Sequence, residues 1–275
     1  MNRTARILSI GAAVLALTAC GQKKENKMLV LYYSQTGGTE SVAGEFASLL
    51  GAPAEAIAAV NPYDGDFNAT IGRCMQEREA GVLPEIQPIK ADLSQYDVIF
   101  LGYPVWFGTY APPVAKLLEE IDLSGKKVVP FCTFGSGGLD SSTRDLKAKQ
   151  PGAEILDGYG VRAARLAAAP REIERFLKAG GFIEGEAETL EEFPEPHAVT
   201  EEESALFDAA VNGYPMLNAK AVAVASRLHP DGTEYLFTAK DQPREQRADM
   251  PPANDLKVYV LVEEGCAPVF TQVIR

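Results

Sequence analysis

The sequence predicts an α/β protein: a doubly wound, five-stranded parallel sheet followed by a small α+β domain. Residues 28–182 alternate near-continuous apolar runs with amphipathic stretches, which is the pattern of a parallel sheet covered on both faces. Beyond Ile183 the chain turns acidic, loses that alternation and resumes as one short helix and paired strands. The length of 275 residues is long for one ordinary domain and comfortable for two.

Residues 1–20 read as a targeting signal rather than as part of the fold. Arg3 and Arg6 precede the short apolar run Ile7–Leu17, which ends in Leu17-Thr18-Ala19-Cys20. That ending resembles a bacterial lipobox and implies cleavage before Cys20 and lipidation of it. An ordinary secretory signal with a coincidental cysteine is the other reading. Gly21 resembles the residue found in signals sorted to the outer membrane. The expected location is the periplasmic side of the bacterial cell envelope, held to the membrane by the lipid anchor. Residues 21–27 then form a tether.

Strands are expected at Met28–Tyr33, Ala54–Val60, Val98–Gly102, Lys127–Phe134 and Glu154–Tyr159. Helices are expected between and after them, at Glu40–Leu50, Phe67–Glu79, Pro112–Ile121, Ser142–Lys149 and Pro170–Ala179. Glu40–Leu50 sets Val42, Phe46, Leu49 and Leu50 on one face. Pro170–Ala179 is punctuated at both ends, by proline at its start and Gly180-Gly181 beyond its end. Residues 183–200 read as an acidic linker and residues 201–275 as the second domain. Thr200 and Glu203 form a capping box for a helix through Val211. Lys220–Leu228 pairs with Thr233–Lys240 around Pro230-Asp231-Gly232, and Leu256–Glu263 pairs with Pro268–Ile274 around Glu264-Gly265.

The net charge of −12 argues against nucleic acid as a partner. From Ile183 onward eighteen acids face seven bases, so most of the acidity belongs to the second domain. Cys74, Cys132 and Cys266 suggest neither a disulfide framework nor a metal site; they are expected to be buried free thiols, with pairing of two of them in an oxidising compartment the other reading. With His197 and His229 the only histidines, both in polar contexts, no metal site is expected.

Three loops carry the candidate chemistry. Ser34-Gln35-Thr36-Gly37-Gly38-Thr39 joins an apolar strand to a helix start, so hydroxyls, loop amides and the positive end of the helix dipole meet at one spot suited to a phosphate. A plain strand-to-helix turn is the competing reading. Asp97–Val114 is a strand that opens into Tyr103, Trp106, Phe107 and Tyr110, stiffened by three prolines. Aromatics clustered at a sheet's carboxyl edge need a flat apolar partner, and Trp106 is the choice for stacking on it. Alternatively they cap the sheet edge or meet the second domain. Phe131–Ser142 is again a strand running into a glycine-rich loop and a helix; Thr133 to Gly138 are placed to reach the far edge of the same ligand. Asp140 and Asp145 read as acids near a helix start rather than catalytic groups, Arg162 and Arg165 as a solvated loop rather than a contact for an anionic substrate near the cleft, and Cys132 as a buried strand thiol rather than a redox-active one.

Met28 to about Phe182 resembles the flavodoxins through these motifs. They read Gly102-Tyr103-Pro104-Val105-Trp106-Phe107-Gly108 and Pro130-Phe131-Cys132-Thr133-Phe134-Gly135-Ser136-Gly137, with Phe134 and Gly138 departing from the usual third loop. The resemblance implies non-covalent FMN. It would be bound by Ser34, Gln35, Thr36, Gly37, Gly38 and Thr39, by Pro104, Val105, Trp106, Phe107 and Gly108, and by Thr133, Phe134, Gly135, Ser136, Gly137 and Gly138. It also implies electron transfer to a redox partner protein or a small acceptor such as a quinone, as a carrier or an FMN-dependent oxidoreductase drawing on NAD(P)H. A peptide near Phe107-Gly108 is expected to turn toward flavin N5, and the flavin is expected to lie away from cationic side chains. The rival functions are non-catalytic flavin binding or sensing, and a protein-interaction lipoprotein that uses the fold as a scaffold. The second domain distantly resembles a cystatin-like module, but its hairpin tip, Arg227-Leu228-His229-Pro230-Asp231-Gly232, lacks the inhibitory QxVxG sequence.

Overall fold

The computed structural model describes residues 26–63, 66–242 and 255–274. The targeting signal with Cys20, and most of the tether, lie outside the described residues.

The first half is the expected doubly wound sheet. Its strands are β1 (Met28–Tyr32), β2 (Ala54–Ala56), β3 (Val98–Trp106), β4 (Thr109–Tyr110), β5 (Lys127–Phe134), β6 (Glu154–Ile155) and β7 (Tyr159–Arg162). The parallel order is β2-β1-β3-β5, with β6 and β7 pairing successive stretches of β5. Strand order reverses between β1 and β3, the point at which open α/β sheets bind ligands beyond the strand carboxyl ends.

Alternation along each strand divides the core in two. Leu29, Leu31, Ile99, Leu101, Tyr103, Val128 and Cys132 face one side, where α2 (Phe67–Ala80), α3 (Pro112–Glu120) and α4 (Leu139–Lys149) supply Cys74, Val114, Leu117 and Leu146. Val30, Phe100, Val129 and Phe131 face the other, where α1 (Gly38–Leu50) supplies Val42, Ala43 and Phe46, and α5 (Ala169–Ala179) supplies Ile173 and Leu177. On α1 the packed face is Val42, Ala43 and Phe46 rather than a stripe reaching Leu49, which is 36% exposed.

Several boundaries differ from expectation. The second strand ends at Ala56, and Ala59 forms an antiparallel bridge to Ile86 instead of extending it. The third strand does not stop at Gly102: Tyr103 and Pro104 stay in register with Cys132 and Thr133, and Val105 and Trp106 turn back on Tyr110 and Thr109 as a hairpin. The fifth strand divides at Leu156–Gly158, where a Cβ on Gly158 would stand 2.6 Å from the Pro130 carbonyl oxygen.

The second half holds β8 (His197–Ala198), α6 (Glu201–Val211), β9 (Ala219–His229), β10 (Gly232–Asp241), β11 (Asp255–Val262) and β12 (Val269–Ile274). The antiparallel order is β12-β11-β10-β9-β8, so the end of the acidic segment adds a short strand that the sequence reading did not include. The Thr200–Glu203 capping box is present, and α6 buries Phe207 against Phe237, ring centroids 5.2 Å apart. This domain docks on α5 through charge. Arg175 grips Asp231 with both terminal nitrogens, which holds the Asp231 carboxyl below the usual range, and Arg171 pairs with Glu263.

Candidate functional site

The turn after β1 is shaped by Gly37, whose φ of 87° is left-handed and open to glycine without strain. The helix it starts has no side-chain cap at its N-terminus, so its first amides keep their capacity for an anion. Ser34 Oγ is buried without a hydrogen-bond partner. An orphaned hydroxyl at an uncapped helix start fits a phosphate that would complete it. Gln35 instead reaches sideways, donating to the Tyr63 carbonyl at 2.8 Å and to Thr70 Oγ1 at 2.6 Å. Thr39 is buried and its hydroxyl meets Thr133 Oγ1 at 2.8 Å, which ties α1 to β5.

The aromatic stretch is a two-residue hairpin rather than an open loop. Phe107 and Gly108 both have positive φ, 51° and 81°, the backbone sense that matches strand twist in tight hairpins. The Ser141 hydroxyl donates to the Gly108 carbonyl and ties the tip to α4. Tyr103 is fully buried, with its hydroxyl donating to Ser142 Oγ at 3.1 Å, so it serves the core and not the cleft. Trp106 is half-buried and set edge-to-face with Tyr33 (5.9 Å) and Tyr63 (5.2 Å). Tyr63 is in turn fixed by the Glu77 carboxylate and by the Arg73 guanidinium 3.8 Å from its ring centre. Burial and the bond to Glu77 push its phenol well above the ordinary range, so Tyr63 is a neutral brace.

A cleft of about 610 Å³ opens at this edge of the sheet. From the expected set it is lined by Gln35, by Val105, Trp106, Phe107 and Gly108, and by Gly135, Ser136, Gly137 and Gly138. Ser34, Thr36 and Gly37 lie on the turn after β1, and Gly38 and Thr39 in the first turn of α1, without lining it. Pro104, Thr133 and Phe134 belong to the strands: Thr133 bonds Thr39, and Phe134 is buried in the core. Gly138, a departure from the usual motif, has φ 120° and lies against Val105, whose Cγ1 would be 2.5 Å from a Cβ there.

Sequence reasoning missed the rest of the lining. Phe67, Thr70, Ile71 and Cys74 come from α2, while Tyr214, Met216, Gln272, Val273 and Ile274 come from the second domain. The i, i+4 spacing of Phe67 and Ile71 was the available signal for α2; nothing local marks the others. The expectation of a cleft free of cations fails, because Arg144 lines it. Arg162 and Arg165 are not a solvated loop either. Arg162 bonds the Gly135 and Phe270 carbonyls, and Arg165 pairs with Glu172 at 2.7 Å with both side chains largely buried. Asp140 lies in the first turn of α4 and, with Leu139 and Ser141, also lines the cleft, whereas Asp145 is mid-helix.

The thiols divide differently from expectation. Cys74 and Cys132 are buried, but Cys266 is exposed in the turn before β12. Burial pushes the Cys74 thiol up to about 11 and that of Cys132 higher still. Iodoacetamide at pH 8 is expected to modify the Cys266 peptide and spare the other two, as read by mass spectrometry of the folded protein. Equal labelling of Cys74 would contradict the burial.

A family model described as flavodoxin matches residues 27–169, a little over half of the chain. The chain belongs to the flavodoxin family. Among solved structures it is similar to a Bacteroides eggerthii protein assigned provisionally as a flavoprotein, with 29% identity, TM-score 0.50, and coverage of 56% of this chain and 96% of that one. A Bacteroides uniformis protein with the same provisional assignment shows 26% identity and TM-score 0.49, covering 55% of this chain and 99% of that one. A Lactobacillus acidophilus flavoprotein solved in complex with FMN shows 25% identity and TM-score 0.45, covering 49% of this chain and 93% of that one. No curated protein matches. The flavodoxin match stops at the start of α5, so the antiparallel domain lies outside it.

Proposed function

We propose that this flavodoxin-family protein binds FMN and works as an exported, membrane-tethered electron-transfer protein or oxidoreductase. Its acceptor would be a small molecule such as a quinone, or a redox partner protein. What supports the reading is a cleft lined by Gln35 of the first turn, the Val105–Gly108 hairpin and Gly135–Gly138, with the orphaned Ser34 hydroxyl before the helix start and the braced Trp106 in that lining. Ser34 to Thr39 would hold the phosphate, Trp106 would meet a face of the ring, and the Gly135–Gly138 segment would follow its far edge. When bound, FMN supplies reversible one- and two-electron chemistry, and the protein contributes binding, orientation and electrostatics. Arg144 and Asp140, one helical turn apart on α4, both line the cleft, so it carries charges of both signs rather than a net positive field.

The tether rests on Arg3, Arg6, the apolar run Ile7–Leu17 and the lipobox ending at Cys20. Cys20→Ser is expected to abolish incorporation of labelled palmitate and to release the protein from membranes. The redox reading is tested by titrating apoprotein with FMN, reducing the complex with NADH, NADPH or dithionite, and reoxidising it with a quinone. Micromolar or tighter uptake with reversible bleaching is expected; a folded protein that takes up no FMN overturns the reading.

A further inference from the structure

The antiparallel sheet ends in an edge strand, and such an edge presents main-chain groups that need covering. β12 is that edge, and what covers it is the third loop of the other domain. The Val273 N–H donates to the Ser136 carbonyl at 2.6 Å. A Cβ on Gly137 would stand 2.3 Å from the Val273 carbonyl oxygen, so glycine is what permits this approach. At Gly135 the same position lies 3.0 Å from Tyr214 Oη.

Arg162, at the end of β7, closes the arrangement from behind. Its Nε donates to the Gly135 carbonyl at 2.8 Å and its Nη1 to the Phe270 carbonyl at 2.9 Å, so one guanidinium spans both domains. The same group lies 3.4 Å from the centre of the Phe270 ring and 5.3 Å from that of Tyr214. A planar fork with two carbonyls and two ring faces is a geometry that lysine does not reproduce.

All of these contacts fall on Gly135–Gly138, the segment that the FMN reading sets against the cofactor ring. Three glycines in four residues make it costly to order. We propose that the antiparallel domain is a fixed wall of the cofactor cleft, with Arg162 and the edge of β12 acting as positioning elements that set the third loop for the flavin ring. This rests on the FMN reading. Arg162 acts through Gly135 and is itself absent from the cleft lining, so its effect is preorganisation rather than contact.

The test uses the full chain with FMN as the probe, comparing wild type with Arg162→Ala, Arg162→Lys, Val273→Pro and, as a control on a domain contact away from the loop, Asp231→Asn. Val273→Pro removes the N–H that bonds Ser136 but also replaces a buried side chain that lines the cleft, so it is read on amide exchange at residues 135–138 beside affinity. The readouts are FMN fluorescence quenching for affinity, visible circular dichroism of the bound flavin for its surroundings, and amide exchange at residues 135–138. Arg162→Ala and Val273→Pro are expected to weaken FMN about tenfold, to change the flavin dichroism and to speed exchange in the loop. Arg162→Lys should recover only part of this, and Asp231→Asn should stay within about twofold of wild type. Folded variants with wild-type affinity and dichroism overturn the proposal and leave the FMN reading standing. Failure of wild type to take up FMN overturns both. Should Arg162→Ala not fold, Arg162→Lys decides: wild-type affinity, dichroism and loop exchange in that variant overturn the proposal.

Discussion

Ser34→Asp is expected to lower FMN affinity roughly a thousandfold while leaving riboflavin affinity within a few-fold. Ser34 Oγ is buried without a partner at the mouth of an uncapped helix, which is where the phosphate would lie. A carboxylate there would face the phosphate, and like charges about 4 Å apart near a protein surface repel by roughly 4 kcal/mol, about a thousandfold in affinity. Ser34→Ala removes only a hydroxyl that would bond a charged group, worth about 1.5–3 kcal/mol, so a loss of roughly ten- to a hundredfold is expected. Because Ser34 Oγ is buried, an unpaired carboxylate there also costs the apoprotein stability, so the variant's thermal transition is measured beside its affinities. Riboflavin lacks the phosphate and reports on the ring contacts alone. Fluorescence titration of both ligands gives the ratio, and equal losses for the two would move the phosphate away from this turn.

The parallel sheet was legible because its signal is local. Apolar runs such as Leu29–Leu31 and Val128–Val129 are buried on both faces, so they read as strands without knowledge of their neighbours. The three loops were legible for the same reason: each directly follows a strand that could be read. What the sequence concealed depends on pairing at a distance. β3 runs on through Pro104 because Thr133 stands opposite it, and Trp106 can join a hairpin because Phe107 and Gly108 both adopt positive φ. Phe at a positive φ is a conformation that residue preference argues against. The wall given by Tyr214 and β12 lay further from view, since its link to Ser136 joins residues more than a hundred positions apart. Arg162 read as solvated because a charged side chain beside small residues usually is; its partners are main-chain carbonyls and rings, which leave no mark in composition.

Phe46→Ala is expected to cause the largest stability loss in the protein, about 3–5 kcal/mol. Phe46 is fully buried, and its ring lies 4.7 Å from Phe131 and 5.4 Å from Phe100 on two central strands. It also meets Tyr159 at 6.0 Å and Phe176 at 6.1 Å, so one side chain joins α1 to the sheet and to α5. Truncation leaves a void ringed by rigid aromatics, which collapse poorly around it, so the loss should fall toward the upper end. Because the chain has two domains, the readout is the calorimetric transition of the parallel-sheet half rather than a single midpoint. A downward shift of roughly 10 °C is expected there, against little change for Leu49→Ala on the more exposed side of the same helix. The consequence reaches the site, because α1 starts at the phosphate turn, and its packing through Val42, Ala43 and Phe46 acts with the Thr39–Thr133 bond to fix where those first amides point. Phe46→Ala should therefore weaken FMN even at temperatures where the chain remains folded. A variant that loses stability but keeps full FMN affinity would show instead that the Thr39–Thr133 bond alone aligns the turn.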